Sequence, residues 1–264
     1  MSEDNLSRWK TTLLPLYGER ETNNMWRWYQ EAHRPEASFE DDLQKLSEFY
    51  PIQYLTGYSY FYGEKFLVNE HTLIPRPETE ELVYKILEEH PEKDELRVID
   101  LGTGTGCIAI TIKKHRPGWF VTGMDIFDKT LAMARENGHI LGAEVSWVQG
   151  DILSLEISDI SSYDIVVSNP PYISPLEKEE MHTNVVRYEP HHALFTRDDH
   201  GLEFYKAIAD LGKFLKPGSK IYLEIHEGAS RDIAALFNHP STYTSPEIHT
   251  DMQGKDRILS VTRK

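Results

Sequence analysis

The segment with the clearest chemical content is Asn169-Pro170-Pro171-Tyr172, which follows an apolar run at residues 165–167. An amide or exocyclic amine nitrogen is a poor nucleophile because its lone pair is delocalised. Group transfer to it requires acceptors that hold its N–H groups and turn the lone pair toward the electrophile. The Asn169 side-chain oxygen and a backbone carbonyl beside Pro170 can be these acceptors, the prolines fix the backbone, and Tyr172 can pack over the planar group. We therefore expect all four residues to bind a planar nitrogen acceptor, with catalysis by Asn169, Pro170 and Tyr172.

A second candidate site is a glycine-rich turn between a strand and a helix, made of Gly102, Thr103, Gly104, Thr105 and Gly106. Glycines let a backbone pass close to a ligand and adopt φ values that other residues avoid. Dinucleotide-binding enzymes have a similar turn, but the spacing here is G-x-G-x-G, and Asp100 comes shortly before it. An aspartate there suits a cofactor with a cationic amino-acid tail better than one with a pyrophosphate. The turn and Asp100 therefore predict a site for a cofactor with such a cationic tail.

Further candidate residues stand at the ends of the next two predicted strands. Asp125 ends the second strand, nineteen residues after Gly106, where a carboxylate can accept hydrogen bonds from both hydroxyls of a ribose. Asp151 and Ile152 end the third strand, where the acid could accept from an adenine amine and Ile152 could pack on the ring. Each of these residues alone has an ordinary structural explanation. Acidic residues at three successive strand ends predict one cofactor site, which Asn169 would also border.

The elements that must position these residues alternate between strand and helix from Leu96 onward. Helical patterns follow the glycine turn and recur at residues 131–141 and 204–215. Such alternation predicts an α/β domain with a mostly parallel, seven-stranded sheet that is covered on both faces. The last two strands have no helix between them, so they should pair as a hairpin and place one antiparallel strand in the sheet. The strand-like segments are RVIDLG, FVTGMDI, EVSWVQGDIL, YDIVVSNPP, KIYLEIH, PEIHTDM and RILSVTRK.

The beginning of the chain has a different pattern. Apolar residues recur at helical spacing in residues 1–50, with Ser38 as the expected N-cap of one helix, so a small helical accessory domain is predicted. Aromatic and β-branched residues with glycine breakers predict a hairpin-like connector at residues 51–77. Residues 78–264 then form the catalytic domain, which begins with a helix.

The bulk composition restricts the classes of function. The chain has 28 Lys and Arg residues and 43 Asp and Glu residues, which give a formal net charge of −15 at pH 7. Proteins that bind nucleic-acid phosphates usually present a basic surface. This balance favours a protein or small-molecule substrate over sequence-specific binding of nucleic acid. No apolar run is long enough for a membrane span, the N-terminus is unlike a signal peptide, and one cysteine allows no intrachain disulfide. We expect a cytoplasmic protein without a metal site.

Together these motifs resemble the HemK/PrmC family of release factor glutamine N5-methyltransferases, which are class I methyltransferases with a Rossmann-like sheet. The resemblance runs from about Pro51 to the C-terminus and is made specific by LIPRPETE and by NPPY after the DLGTGTG turn. It implies that Gly102 to Gly106, Asp125 and the region of Ile152 hold S-adenosylmethionine. It also implies that Asn169 to Tyr172 receive the glutamine of a release factor's Gly-Gly-Gln motif, and that the helical domain engages the release factor. Further matching segments are PIQYLTG, VIDLGTGTGCIAI, GMDI, VSNPPYI, VRYEPHHALF and GKDRIL.

Other functions remain open at the level of the residues. A ribosomal-protein glutamine methyltransferase would need the same catalytic half. An adenine-N6 nucleic-acid methyltransferase meets the same planar-nitrogen problem, but the net charge of −15 and the lack of a segment resembling a base-flipping target domain speak against it. A non-catalytic nucleotide-binding module or a dehydrogenase would leave Asn169-Pro170-Pro171-Tyr172 unexplained.

Overall fold

The computed structural model describes residues 3–91, 95–156 and 160–264, and its N-terminal part is helical. This agrees with the helices predicted for residues 1–50. One further helix, Ile52–Thr56, begins beyond residue 50 and lies within the segment that was expected to be a hairpin-like connector. The helices of this part are α1 (Glu3–Glu31), α2 (Phe39–Ser47) and α3 (Ile52–Thr56).

Helix α1 is bent back on itself. Gly18, with φ of 74° and ψ of 170°, interrupts the helix shortly after Pro15, which has no backbone N–H to continue the helical ladder. The bend brings the Trp9 ring to 5.0 Å from the Tyr29 ring, and Trp9 Nε1 donates to the Thr22 carbonyl at 3.1 Å. The two halves of α1 therefore bury their aromatic side chains against each other.

The predicted hairpin lies at residues 58–67. Strands β1 (Tyr58–Phe61) and β2 (Glu64–Leu67) pair antiparallel, with Tyr58 opposite Leu67. The side chain of Asn137 holds this hairpin to the rest of the protein, since its Oδ1 accepts from Leu67 N at 2.7 Å and its Nδ2 donates to Leu67 O at 3.0 Å.

One seven-stranded sheet forms the centre of the remaining chain, as predicted. Its strands are β3 (Arg97–Leu101), β4 (Phe120–Asp125), β5 (Ser146–Gln149), β6 (Ile165–Ser168), β7 (Lys220–Glu224), β8 (Glu247–Thr250) and β9 (Asp256–Thr262). Their order is β5-β4-β3-β6-β7-β9-β8. Neighbouring pairs from β5 to β7 are parallel, whereas β9 is antiparallel to both β7 and β8. The predicted C-terminal hairpin is thus present and supplies the antiparallel strand.

Helices cover both faces of this sheet. They are α4 (Pro77–Glu89), α5 (Cys107–His115), α6 (Asp128–Ile140), α8 (Glu203–Gly212) and α9 (Ser230–Leu236). The short helix α7 (Thr183–Tyr188) lies in the connection between β6 and α8. The sequence did not predict the short helices α7 and α9. On one face Leu82 and Ile108 belong to the same buried cluster as Phe66 of the hairpin, and on the other face Ile208 and Ile233 share a second cluster. No helix in the described ranges has the length and apolar character that crossing a bilayer requires.

Helix α8 ends earlier than the pattern up to Leu215 predicted. The Tyr243 hydroxyl donates to the Ala209 carbonyl at 2.6 Å, and this carbonyl would otherwise accept from the N–H of Lys213. That N–H turns instead to the Leu211 carbonyl. The regular helix thus stops at Gly212, beside a carbonyl that accepts a tertiary hydrogen bond from a distant tyrosine, and tighter turns follow it.

Asp42 is the polar centre of the helical part. It is 1% exposed and accepts from Tyr29 Oη at 2.9 Å and from Arg34 Nε and Nη2 at 3.0 and 2.8 Å. Ser38 stands at the N-cap position of α2 as predicted, but its hydroxyl lies 3.0 Å from Asp42 Oδ2 and caps no backbone N–H. Burial alone would raise the pKa of Asp42, but the hydrogen bonds from these three residues outweigh it and hold the pKa below its ordinary value.

We expect Asp42→Ala to lower the free energy of unfolding by about 2–4 kcal/mol, because it leaves Arg34 and Tyr29 without their buried partner. Urea denaturation near neutral pH measures this change. Asp41→Ala, at the exposed neighbouring position, should change stability by less than about 0.5 kcal/mol. Because the pKa of Asp42 is lowered in the folded state, the difference between parent and Asp42→Ala should shrink as the pH falls below about 4. Equal effects of the two alanine variants would show that the Asp42 contacts contribute nothing to stability.

Candidate active site

A cavity of about 290 Å³ lies at the carboxyl end of the parallel strands. It is bordered by loops that follow β3, β4, β5 and β6, since carboxyl ends of parallel strands meet at one edge of a sheet. The residues singled out from the sequence that line it are Gly102, Gly104, Asp125, Asp151, Ile152, Asn169 and Pro171. The others are not among its lining residues, namely Asp100, Thr103, Thr105, Gly106, Pro170 and Tyr172.

The glycine turn is tied to the neighbouring strand. The backbone N–H groups of Gly102 and Thr103 both donate to the Met124 carbonyl, at 2.9 and 2.8 Å. Gly102, Gly104 and Gly106 have φ values of 74°, 57° and 82°, which disfavour any residue with a side chain. A Cβ on Gly106 would lie 2.9 Å from both Ile110 Cδ1 and the Trp147 ring. Gly106 therefore makes room for core packing, whereas Gly102 and Gly104 form the cavity wall.

Asp125 borders the cavity with a carboxylate that is already oriented. Its Oδ2 accepts from Gly104 N and its Oδ1 from Phe127 N, each at 3.1 Å. Burial raises the pKa of Asp125, and the backbone N–H groups act against this rise. Each oxygen has a further lone pair, so the carboxylate can accept additional hydrogen bonds from a ligand.

Asp100 lies deeper than the cavity lining. It is fully buried, and its Oδ2 accepts from the Thr103 hydroxyl at 2.6 Å. Its Oδ1 and the Thr105 hydroxyl have no hydrogen-bond partner in the part of the chain that the structure describes. Burial raises the pKa of Asp100 to about 7, and the nearby charge of Asp125 acts in the same direction.

Asp151 and Ile152 form the wall that follows β5. Asp151 caps the short 3₁₀ helix Ile152–Ser154, since its Oδ1 accepts from Leu153 N at 2.9 Å. Ile152 is buried, and its Cδ1 lies 3.8 Å from the point where a Cβ on Gly102 would stand. An apolar side chain and a carboxylate thus face the cavity side by side.

The Asn169 amide has a defined direction. Its Nδ2 donates to the Thr79 hydroxyl at 3.1 Å, and this hydroxyl donates to Glu224 Oε2 at 2.6 Å. Within the described residues Asn169 Oδ1 accepts no hydrogen bond. The amide therefore presents a free acceptor oxygen next to the cavity that Asn169 lines.

The backbone after Asn169 is held by the chain that follows it. Ile173 N donates to the Leu194 carbonyl, and Thr196 N donates to the Ile173 carbonyl, both at 3.0 Å. A Cβ on Gly201 would lie 2.3 Å from the Tyr172 carbonyl oxygen, so a glycine is needed where the chain passes this segment. The Tyr172 ring lies 5.9 Å from the His226 ring, and burial raises the pKa of Tyr172.

Known proteins share both sequence and fold with this chain. The methyltransferase small domain family matches residues 79–194. The release factor glutamine methyltransferase of Bacteroides thetaiotaomicron is 42% identical over 229 residues, which are 86% of this chain and 81% of that protein. That of Lactococcus lactis is 44% identical over 219 residues, which are 83% of this chain and 79% of the relative. This chain belongs to the release factor glutamine methyltransferase family.

Solved structures of other methyltransferases share the fold. A methyltransferase from Pyrococcus furiosus superposes with a TM-score of 0.54 at 19% identity, covering 77% of this chain and 90% of that one. The ribosomal protein L11 methylase of Lactobacillus delbrueckii subsp. bulgaricus gives a TM-score of 0.50 at 19% identity, covering 78% and 89% of the two chains. These likenesses confirm the class I methyltransferase fold.

The methyltransferase fold and family imply S-adenosylmethionine as methyl donor, and the residues present fit it. The donor has an ammonium group, two ribose hydroxyls and an adenine ring. The unpartnered, buried Oδ1 of Asp100 and the cavity-lining carboxylate of Asp125 are acceptors that suit the first two. Ile152 and the carboxylate of Asp151 offer an apolar surface and an acceptor that suit the third.

A bridging segment, residues 183–197, connects this cavity to the helical part. At its start the Tyr188 hydroxyl donates to the Glu48 carbonyl at 2.9 Å, and the Tyr188 ring lies 5.1 Å from the Tyr50 ring. Glu189 is buried and pairs with Arg76 at 2.5 Å, so Arg76 holds this segment. Further along the segment, residues 192–195 reach the cavity wall.

Several residues of the site were missed from the sequence. The His192 ring lies 4.1 Å from the Phe127 ring, and both residues line the cavity. Burial lowers the pKa of His192, with His71 acting in the same direction. Thr79 and Glu224 hold Asn169; Thr79 lies in LIPRPETE, on which the family resemblance rests, and Glu224 lies in the predicted strand KIYLEIH, but neither was predicted to be a site residue.

Proposed function

We propose that this enzyme transfers the methyl group of S-adenosylmethionine to the side-chain N5 of the glutamine in the Gly-Gly-Gln motif of peptide chain release factors, and that it does so in the cytoplasm, where these factors act. The names of the relatives support this substrate. The single observation that carries the chemistry is the direction of the Asn169 amide. Because its N–H group is engaged by Thr79, its oxygen is available to accept from an acceptor nitrogen.

The acceptor side is proposed to consist of Asn169, Pro170, Pro171 and Tyr172. Asn169 Oδ1 and the backbone carbonyl beside Pro170 accept the two N–H groups of the glutamine amide, and the lone pair then faces the methyl group. Tyr172 packs near the planar amide, and Pro171 forms part of the cavity wall. Such positioning can contribute roughly 7–11 kcal/mol to a transfer reaction.

The donor side is proposed to take S-adenosylmethionine, which would supply an electrophilic methyl group on a sulfonium. Formation of the bond from N5 to the methyl carbon would break the sulfur–methyl bond, leave S-adenosylhomocysteine and release one N–H proton of the amide to solvent. Asp125 accepts from the ribose hydroxyls, Asp151 and Ile152 hold the adenine, and Asn169 borders the methyl group. Asp100 and Thr103 keep the turn in shape and present an acceptor toward the amino-acid part. Of the other residues of the turn, Gly102 and Gly104 line the cavity and are proposed to contact the donor, whereas Thr105 and Gly106 are not among its lining residues and keep the turn in shape.

The substrate is tested by incubating the purified enzyme with labelled S-adenosylmethionine and an intact release factor, followed by mass mapping of the methylated peptide. One methyl group on the glutamine of Gly-Gly-Gln is expected, and none on a factor in which that glutamine is replaced by alanine. Label that enters a ribosomal-protein glutamine or an adenine of nucleic acid, with none on the release factor, would overturn the proposed substrate.

Removal of the Asn169 amide should affect catalysis far more than donor binding. We expect Asn169→Ala to reduce kcat by about 10²-fold or more, on the scale of losing a positioned polar group in a transition state. Asn169→Asp keeps an acceptor and should retain partial activity. Single-turnover methylation and calorimetry of donor binding measure the two effects. A folded Asn169→Ala enzyme that methylates at the parent rate would contradict the proposed role of the Asn169 oxygen as hydrogen-bond acceptor.

Asp125→Ala should weaken donor binding by roughly 1–3 kcal/mol, the scale of a hydrogen bond to a charged group. Isothermal calorimetry with S-adenosylmethionine measures this loss. Asp128→Ala is the matched control, because Asp128 is exposed at the first position of α6 and is not among the cavity-lining residues. Unchanged affinity in folded Asp125→Ala would remove this carboxylate from the donor site.

The helical part, residues 1–50, is proposed to bind the release factor. A chain that begins at residue 51, checked for folding by circular dichroism, should bind the donor with nearly parental affinity. Its methylation of the intact factor should fall by at least about tenfold, the scale of losing interface anchors. Methylation of a short Gly-Gly-Gln peptide, which has no surface for that contact, should change little. Normal activity of this truncated enzyme on the intact factor would contradict the docking role.

A further inference from the structure

Asn169 lies at the end of a chain of hydrogen bonds that begins in the sheet. Glu224, at the end of β7, is 1% exposed, and Thr79, on the first turn of α4, is 3% exposed. The Thr79 hydroxyl donates to Glu224 Oε2 at 2.6 Å and lies 3.1 Å from Asn169 Nδ2. Three residues from three different elements thus form one continuous path to the cavity.

The chemistry of these groups gives the path a direction. A carboxylate can only accept hydrogen bonds, so the single proton of the Thr79 hydroxyl is committed to Glu224. The Thr79 oxygen then faces Asn169 with a lone pair, which requires the N–H₂ group of the amide on that side. The opposite orientation of the amide would place two acceptor oxygens against each other in a buried site, an arrangement that is strongly unfavourable.

We propose that Thr79 and Glu224 are positioning residues that fix the orientation of the Asn169 amide, so that its oxygen faces the acceptor nitrogen before substrate arrives. This inference rests on the proposed function, since it supplies the reason for an oriented acceptor at Asn169. Neither residue needs to touch the substrate. Their contribution is that the amide is already oriented in the free enzyme, which lowers the reorganisation needed during transfer.

The surroundings of Glu224 support a role beyond packing. An apolar side chain of similar size would fill the same space without the penalty of a buried carboxylate. Burial raises the pKa of Glu224 to about 7, while the hydrogen bond from Thr79 acts to lower it. The other titratable groups that interact with it are Arg257, Glu78, Arg76, Cys107 and Tyr172. Tyr205 does so as well, and its hydroxyl donates to the Glu224 carbonyl at 2.9 Å.

The decisive variants are Thr79→Val, which keeps the shape but removes the hydroxyl, and Thr79→Ser, which keeps the hydroxyl. Thr79→Val should lower kcat on the intact release factor by about 10–100-fold, with the dissociation constant of the donor within about threefold of the parent. Thr79→Ser should restore most of kcat. Thr111→Val is the matched control, because Thr111 is 2% exposed and its hydroxyl has no partner among the described residues, so kcat should be unchanged.

A second experiment measures the solvent exchange of the Asn169 side-chain amide and needs no substrate. The side-chain N–H₂ signals of Asn169 in a ¹⁵N NMR spectrum are assigned by their loss in Asn169→Ala. Their exchange with solvent should become faster by about tenfold or more in Thr79→Val, since the hydrogen bond that protects them is gone. Exchange in Thr79→Ser should stay close to that of the parent.

The pH profile provides a third readout. Because the pKa of Glu224 is raised to about 7, the purely accepting, charged form is lost as the pH falls through that value. A protonated Glu224 can donate to Thr79, which frees the hydroxyl proton and removes the preference for one amide orientation. The kcat of the parent should therefore fall below about pH 7, and the relative fall should be smaller in Thr79→Val.

The outcomes separate this inference from the proposed function. Parental kcat and parental amide exchange in Thr79→Val would overturn the positioning role and leave the proposed function intact. Equal losses of kcat and of donor affinity in both Thr79 variants would show a structural role and would also overturn it. Failure of the parent to methylate the release factor would refute the proposed function, while the NMR measurement would still decide the orientation of Asn169.

Discussion

The parallel register of β3 with both of its neighbours is the constraint on which the site depends. Leu101 at the end of β3 is level with Met124 of β4 on one side and with Ser168 of β6 on the other. The loops that follow these three strands therefore leave the sheet at one height, and the glycine turn, Asp125 and Asn169 meet. The shared Met124 carbonyl, which accepts from two N–H groups of the turn, locks the turn to the same register. A slip of one residue in either pair would separate the glycine turn from Asp125 or from Asn169.

The sequence predicted those parts of the site that lie within a single loop. The glycine turn and Asn169 each follow an apolar strand, and this local pattern is enough to predict both the strand and the exposed loop. It could not predict Thr79 and Glu224, which are 145 positions apart and meet Asn169 only when α4 packs against β7. It also could not separate the glycines that form the cavity wall from Gly106, since only the fold brings Trp147 beside it. The contact of Tyr243 with the last turn of α8 is likewise tertiary, so the sequence pattern could not predict it.

Two carboxyl groups are buried next to the site, although buried carboxyl groups reduce the stability of a core. Burial raises the pKa of both Asp100 and Glu224 to about 7. A group whose pKa is raised by folding favours the folded state at low pH and loses that contribution as the pH rises through the raised value. At neutral pH both groups therefore lower the free energy of unfolding, because the unfolded chain ionises them more readily. Each lies directly beneath a functional element, Asp100 below the glycine turn and Glu224 behind Asn169.

The bridging segment makes the two halves of the protein interdependent in evolution. Tyr188 contacts the backbone of Glu48 in the helical part, and the residues that follow it reach the cavity wall. A homologue that acquired a different N-terminal domain by recombination at residue 50 would keep a Tyr188 with no matching surface. Chimeras between relatives should therefore keep activity more often when residues 183–197 are exchanged together with the N-terminal domain. The surface of the helical part and the wall of the cavity are thus coupled by a segment that is far from residues 1–50 in the sequence.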